Sequence, residues 1–253
     1  MSHEDFFVGY LPKPPKADRR FFLGAGLFGL AGAGGLGFKL AQEQQSAGPG
    51  SWNQGAVTSD YTGIVTTDPF PMLRTRDIDG TPRTALLSCM TKCSVRPRLD
   101  AYRGQPVTIK GSLISRNNHA MIAVVDGPEW IADAPGADVS GLSFAPRASL
   151  GALDLKGEIL DTKCWFGAMR PGTGKPHKAC ASLCIRAGLP PAFYVKDAAR
   201  QSKLLVLVDE ASQPHGPELL PFIADPVSLK GTAVAYANLL LLEAPISSIE
   251  RLA

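Results

Sequence analysis

The apolar positions of this chain recur in short runs, which predicts β-strands rather than long helices. In the C-terminal half the strands are predicted at Leu155–Leu160, Phe193–Lys196, Leu204–Val208, Val227–Ala235 and Leu239–Leu242. A turn near Tyr236-Ala237-Asn238 separates the last two strands. One helix is predicted from Lys178 to Ala187, because Gly188 is a typical C-terminal stop and Pro190 cannot continue a helix.

The chain contains an internal repeat. The segment Pro106-Val107-Thr108-Ile109-Lys110-Gly111 recurs 120 residues later as Pro226-Val227-Ser228-Leu229-Lys230-Gly231. Flanking apolar runs recur in the same register, for example Ala85-Leu86-Leu87 and Leu205-Val206-Leu207. We therefore predict two related modules, module one at residues 60–130 and module two at residues 155–253. The linker between them, 131–154, is rich in Gly, Pro, Ala and Ser.

The predicted fold class is mainly β with few helices. Five short strands and one helix are typical of a small Greek-key barrel of the OB type, and we expect one such barrel in each module. An open antiparallel sandwich fits the same pattern. The chain has 26 glycines and 21 prolines, an excess over average usage that favours many turns.

A separate apolar segment lies near the N-terminus. Residues 1–20 are polar and basic, Phe21–Phe38 contains no charged residue, and Lys39 follows. At about 1.5 Å per residue, a helix of this length just crosses a hydrocarbon core of roughly 30 Å. We predict a cytoplasmic segment at 1–20, a transmembrane anchor at 21–39 and a linker at 40–59. Because the basic residues precede the helix, both modules should be periplasmic.

The residues at the start of this segment carry an export motif. Asp18-Arg19-Arg20-Phe21-Phe22-Leu23 resembles a twin-arginine export signal, with Arg19 and Arg20 as the arginine pair. Rieske iron–sulfur proteins keep such a signal as an uncleaved anchor. Lys39 at the far end of the helix favours the same outcome here over cleavage. The resemblance implies a single-pass protein of the bacterial inner membrane.

The charge balance of the chain argues against one class of partner. There are 26 Lys and Arg residues against 23 Asp and Glu residues, which gives a formal net charge of +3. The sequence has no basic stripe with interleaved aromatic residues. We therefore expect no nucleic-acid partner.

Module two contains the residues that point to chemistry. Cys164 follows the first predicted strand of the module, whereas His177, Cys180 and Cys184 have a spacing that places them on one face of a helix. Three thiols and one imidazole form a complete tetrahedral set for a single metal ion such as zinc, iron or copper. The spacing is not that of a common zinc finger or zinc ribbon.

Disulfide bonds are the alternative interpretation of the same residues. In an oxidising compartment Cys164 would bond to Cys180 or to Cys184 and so join the strand to the helix. Cys89 and Cys93 would form a second disulfide in module one, which leaves one free thiol among the five cysteines. A thiol-redox role is the third possibility.

The cysteine segment also carries a resemblance. It contains Asp161, Cys164, His177, Cys180, Cys184, Gly188 and Pro190. This series resembles a motif of uncharacterised bacterial envelope proteins, in which an Asp-x-x-Cys strand precedes His-x-x-Cys-Ala-x-x-Cys and a Gly-x-Pro turn. The resemblance implies a fold unit and a location, and it implies no reaction. The corresponding region of module one, Thr62–Thr67, has neither Cys nor His.

No set of catalytic residues can be placed from the sequence, so we predict a protein that is not an enzyme. The leading hypothesis is a membrane-anchored periplasmic accessory protein that associates with a membrane complex of the respiratory or redox machinery. The alternative is a redox protein that binds a metal or cofactor through the Cys/His cluster of module two. We expect His119 to be a solvated turn residue and Trp165 to belong to the core.

Overall fold

The computed structural model describes residues 20–21, 48–52, 56–196 and 202–252. Ser46–Ala253 form one unit of the chain, separate from Met1–Gln45. The predicted anchor at 21–39 lies outside the described residues except for Phe21, and Arg19 lies outside them as well. Arg20 and Phe21 are helical and exposed. Among the helices of the described ranges, none is long and apolar enough to span a membrane.

Short strands dominate the described chain. The strands are β1 (Ser51–Trp52), β2 (Ser59–Thr66), β3 (Met72–Arg76), β4 (Pro82–Cys89), β5 (Pro106–Arg116), β6 (His119–Val124), β7 (Ile131–Asp133), β8 (Ala148–Asp161), β9 (Pro191–Lys196), β10 (Ser202–Val208), β11 (Pro226–Tyr236), β12 (Leu239–Glu243) and β13 (Glu250–Arg251). Two α-helices lie wholly within the described ranges, α1 (Arg96–Leu99) and α2 (Lys178–Arg186). Short helical segments lie at Asp100–Tyr102, Cys164–Ala168, Lys175–His177, Pro217–Phe222 and Ile246–Ser248.

The strands form two barrel-like sheets. In barrel one the pairing runs β5-β2-β3-β4-β6 and returns to β5, with β1 and β7 attached to β5. In barrel two it runs β11-β8-β9-β10-β12 and returns to β11, with β13 attached to β11. The third and fifth strands of each circuit in chain order, β4 with β6 and β10 with β12, are parallel. The prediction of a mainly β chain with two barrel-like modules is confirmed.

The strand bounds follow the sequence repeat. β5 and β11 have 11 residues each, and β11 begins 120 residues after β5. Both are followed by a tight turn with positive φ, at Asn117 in barrel one and at Ala237 and Asn238 in barrel two. β8 begins at Ala148, inside the predicted linker 131–154. Its first half is exposed and therefore lacks the apolar pattern that marks a buried strand.

The two barrels pack against each other through equivalent outer faces. Successive side chains of a strand point to opposite sides, so Leu87 fills barrel one while Leu86 lies in a core shared with barrel two. The equivalent residues 120 positions later show the same division, because Leu207 lies inside barrel two and Val206 lies in the shared core. Equivalent members of the shared core are Met72, Leu86, Ile114 and Met121 with Ala192, Val206, Val234 and Leu241. Both faces of these strands are buried, which is why their apolar runs are continuous.

Two glycines bring the chain before β1 against barrel two. A Cβ atom at Gly50 would overlap the backbone of Phe166 and Gly167, and one at Gly167 would overlap the backbone of Gly50 and Ser51. Gly167 also has a φ of 148°, which other residues rarely adopt. This close approach places Trp52 beside the turn that begins at Cys164.

Candidate metal centre

Three cysteines of barrel two converge where β8 ends. Asp161 is the last residue of β8, and the helical turn that begins at Cys164 follows it. Cys180 and Cys184 lie one turn apart on α2. The sulfur atoms of Cys164 and Cys180 are 3.8 Å apart, and all three sulfurs lie within 4.8 Å of one another. Cys164 and Cys184 are buried and Cys180 is half-buried. We call these residues the three-cysteine cluster.

A buried aspartate ties together the two segments that carry the cluster. Oδ1 of Asp161 accepts a hydrogen bond of 2.9 Å from the backbone N–H of Cys164. Oδ2 of Asp161 lies 2.9 Å from Nε2 of His177, the residue that precedes α2. The Asp161 and His177 side chains are 0% and 3% exposed. The carboxylate therefore fixes the start of the Cys164 turn relative to the start of α2.

A loop of barrel one covers the three-cysteine cluster. Cys89 and Cys93 are joined by a disulfide, and we call residues 89–93 the disulfide loop. Lys163, which is 3% exposed, donates hydrogen bonds from Nζ to the carbonyl oxygens of Cys89, Met90 and Thr91 at 2.7, 2.9 and 2.6 Å. Because all three bonds are short and charge-assisted, Lys163 holds the loop firmly against barrel two.

The disulfide loop also contributes a lysine, Lys92, that contacts the three-cysteine cluster. Nζ of Lys92 lies 2.7 Å from Sγ of Cys180 and 3.5 Å from Sγ of Cys184. It also donates to the carbonyl oxygen of Cys180 at 3.3 Å. The side chain of Lys92 is exposed, so its ammonium covers the solvent-facing side of the two α2 sulfurs.

A cavity of about 470 Å³ opens beside the cluster. It is lined by Trp52, Met90, Thr91, Lys92, Lys163, Cys164, Ala168, Met169 and Cys184. The lining combines apolar side chains with two thiols, two thioethers and two ammonium groups. Met169 is 46% exposed, which places a thioether between the solvent and the cavity.

The charges at the cluster shift the pKa values of its members. The hydrogen bond between Cys164 and Cys184 raises the pKa of the Cys164 thiol and lowers that of the Cys184 thiol, and burial raises the former further. Burial lowers the pKa of Lys163 to about 8. Burial acts in the same direction on Lys92, but the hydrogen bond to Cys180 and the attraction of the three cysteines in their thiolate forms outweigh it and raise the pKa of Lys92 to about 12.

The residues predicted as metal ligands fall into two overlapping groups. One is the three-cysteine cluster, and the other joins Cys164 to Asp161 and His177. Within the described ranges, no group brings His177 together with Cys164, Cys180 and Cys184 at the same spacing. His177 is therefore grouped with Asp161 and Cys164, whereas Cys180 and Cys184 are grouped with Cys164 alone.

The disulfide alternatives have different outcomes. The predicted pair Cys89 and Cys93 is bonded. Cys164, Cys180 and Cys184 are free thiols, and the separation of 3.8 Å between Cys164 and Cys180 exceeds the roughly 2.0 Å of a disulfide.

The expected exposure of His119 is wrong. The ring of His119 stacks on Phe166 at a centroid distance of 5.5 Å and meets the edge of Trp165 at 5.6 Å. Burial and the charge of Arg83 lower the pKa of His119 to about 4. Trp165 is 1% exposed and belongs to the shared core, as expected.

Several residues at the site carry no signal in the sequence that assigns them to it. Lys92 and Lys163 stand next to cysteines along the chain, which is a weak indication. Trp52 and Met90 reach the cavity through the packing of the two barrels, whereas Met169 directly follows the turn that begins at Cys164.

The chain matches no protein-family model and no curated protein.

Proposed function

We propose that barrel two binds one soft metal ion through Cys164, Cys180 and Cys184. The observation that supports this most directly is the convergence of three free sulfurs within 4.8 Å of one another. Thiolates about 2.3 Å from a shared ion lie roughly 4 Å apart. The cluster therefore fits a single ion with little rearrangement, and thiolates are the ligands that soft ions prefer.

The cluster suits a metal better than a disulfide. Three neighbouring thiols can form only one disulfide among themselves, which would leave the third thiol outside the bond. A metal ion uses all three sulfurs. The Asp161–His177 pair then acts in positioning, because Asp161 also holds the backbone of Cys164. Such supporting hydrogen bonds orient ligands and raise metal affinity.

We also propose that both modules are OB-like barrels. Each has five strands, with a helical segment between the third and the fourth, Arg96–Tyr102 in barrel one and Pro217–Phe222 in barrel two. A five-stranded Greek-key barrel is the OB pattern. The shared core covers the equivalent outer faces of both barrels, so the cluster lies at an edge of their interface rather than on a free barrel face.

For the biological role, we propose a membrane-anchored accessory protein of the bacterial envelope that works with a redox complex of the inner membrane. Support comes from the twin-arginine motif at Arg19 and Arg20 and from the uncharged segment Phe21–Phe38. The twin-arginine route exports folded proteins, many with their cofactors already bound. A metal centre assembled before export would give this chain a reason to use that route.

Metal analysis of the intact protein tests the site. Protein purified under reducing conditions should carry about one equivalent of a soft metal, and Cys180→Ser and Cys184→Ser should each lose most of it. Leu183→Ala is the matched control, because Leu183 lies on the same helix and is 52% exposed; it should keep the metal. Metal-free wild-type protein, or a disulfide between Cys164 and a cysteine of α2 in anaerobically isolated protein, would refute the proposal.

Cell fractionation tests the proposed location in the inner membrane. The full chain should remain in the inner-membrane fraction after alkaline washing, with its barrels digested by protease added to the periplasmic side. Arg19→Lys/Arg20→Lys should abolish export, whereas Lys13→Gln/Lys16→Gln keeps the arginine pair and should not. Export of the double-lysine variant at the wild-type level would contradict a twin-arginine route.

A further inference from the structure

The three-cysteine cluster offers three sulfur ligands and places a cation on its open side. Lys92 lies 2.7 Å from Sγ of Cys180 and 3.5 Å from Sγ of Cys184. An ammonium group has three donors and no acceptor, so Lys92 stabilises thiolate sulfur by hydrogen bonding and cannot itself ligate a metal. On this side of the cluster, the place of a fourth ligand is therefore occupied by an ammonium group that cannot ligate a metal.

The other candidate for a fourth ligand is engaged elsewhere. Nε2 of His177 lies 2.9 Å from Oδ2 of Asp161, and the imidazole is not grouped with all three sulfurs among the described residues. Zinc at structural protein sites is almost always four-coordinate. Monovalent copper is satisfied by three thiolates in a plane, and soft thiolate and thioether donors favour it.

The approach to the cluster is also lined with soft donors. Met90 and Met169 share the cavity with Cys164 and Cys184. Thioethers are neutral ligands that bind monovalent copper and have little affinity for hard divalent ions. Two ammonium groups, Lys92 and Lys163, line the same cavity. They offset part of the negative charge of the thiolates, which weakens the electrostatic preference of a thiolate site for a divalent over a monovalent ion.

From these relations we infer that the three-cysteine cluster selects monovalent copper, and that Lys92 is the residue that sets this selectivity against divalent ions. The inference rests on the proposed function, because it presupposes that the cluster binds a metal. Beyond the proposed function, the inference specifies the charge and the coordination number of the bound ion, and it assigns a role to Lys92 of barrel one. Binding needs no redox step; copper enters as Cu(I) and displaces protons from the thiols.

Competition titrations of the full chain, performed without oxygen, test the inference. The affinities for Cu(I) and for Zn(II) are each measured against a chromophoric chelator in wild type, Lys92→Leu, Lys92→Arg and the exposed control Lys110→Leu. Lys92→Leu removes the charge without adding a ligand, and it should raise the affinity for Zn(II) relative to Cu(I) by about tenfold or more. Lys92→Arg keeps the charge and should stay close to wild type, as should Lys110→Leu.

X-ray absorption gives an independent readout of the coordination. The Cu(I) form should show three sulfur neighbours and no nitrogen or oxygen neighbour. Tight one-to-one binding of Zn(II) with a nitrogen ligand, or an unchanged ratio of affinities in Lys92→Leu, would overturn the inference and leave the proposed function standing. If neither ion binds the folded protein, both fail together.

Discussion

The ammonium of Lys92 lies 2.7 Å from the sulfur of Cys180, although the two residues belong to different barrels and are 88 positions apart. Lys163 makes the reciprocal connection, since it extends from barrel two to three carbonyl groups of the disulfide loop. Two lysines thus link the barrels on either side of the cluster. A substitution in the disulfide loop should therefore change the surroundings of the three-cysteine cluster, and a substitution in the cluster should change the position of the loop.

Lys163→Met should destabilise the protein. The substitution keeps an apolar chain of similar length but leaves the carbonyls of Cys89, Met90 and Thr91 without their donor. The unfolding free energy should fall by about 2–4 kcal/mol, because buried acceptors lose charge-assisted hydrogen bonds. Urea denaturation followed by tryptophan fluorescence measures the change.

Lys178→Met is the control for that substitution. Lys178 is 39% exposed and pairs with Asp225 at 2.9 Å, and a pair of this kind contributes at most about 1 kcal/mol. Equal losses in the two variants would show that Lys163 does not hold the loop more firmly than a surface ion pair would.

Replacing the disulfide, as Cys89→Ser/Cys93→Ser, should expose the cluster. The loop would gain freedom and uncover the cavity that Cys164 lines, so that alkylation of this buried thiol in the metal-free protein should become several-fold faster. The unfolding free energy should fall by about 2 kcal/mol, because a short loop is no longer closed. Time-resolved mass spectrometry follows the thiol. Leu183→Ala should leave the rate unchanged, and an unchanged rate in the double variant would contradict the covering role of the loop.

His119 should make stability depend on pH below neutrality. Its pKa is lowered to about 4 in the folded state and returns to about 6.5 on unfolding. Between these values the unfolded chain binds a proton that the folded chain does not, so stability falls as the pH drops from 6.5 towards 4. The loss should be on the order of 2–3 kcal/mol, since each pKa unit corresponds to about 1.4 kcal/mol.

His119→Phe isolates this effect. The ring retains its stacking partner Phe166, and no proton can bind. Denaturation midpoints measured from pH 4 to pH 7 should vary less in the variant than in wild type. The comparison is needed because burial also lowers the pKa of His215, which adds a pH dependence of its own. Parallel curves for the two proteins would exclude His119 as the cause.

Neighbouring leucines of β12 separate the interface from the surface. Leu241 is fully buried in the shared core, whereas Leu240 is 37% exposed. Leu241→Ala should lower the unfolding free energy by about 2–5 kcal/mol because it leaves a cavity between the barrels. Leu240→Ala should cost less than about 1 kcal/mol. Calorimetry of both variants checks this difference, and similar melting temperatures would mean that the interface contributes little.

The sequence is most informative where local signals agree with the packing. The strand predicted at Val227–Ala235 and the helix predicted from Lys178 to Ala187 agree within a few residues with β11 and α2. The apolar pattern and the stop at Gly188 are properties of the segments themselves. The start of β8 at Ala148 was missed because that part of the strand is exposed and has no buried face to reveal it.

The site was predictable only in part. The spacing of Cys180 and Cys184 places both sulfurs on one helix face, and the structure keeps them there. The same spacing pointed to His177, but a helix that begins at Lys178 leaves that residue at its margin, where Asp161 engages it. Lys92 reaches the cluster through contacts between barrels, which no local pattern encodes.

The pseudo-symmetric packing of the two barrels allows the two ends of their interface to differ in chemistry. A lone barrel with this outer face would need a second copy to cover it, and two identical copies would carry the same loops at both ends of the interface. Tethering the copies in one chain keeps them together at any concentration and lets them diverge. One end now has cysteines and lysines, while at the opposite end Gln213, the counterpart of Cys93, approaches Asp68 at 3.4 Å. The repeat thus places equivalent loops at two ends of one interface, and of these two ends only that of the disulfide loop carries the three-cysteine cluster.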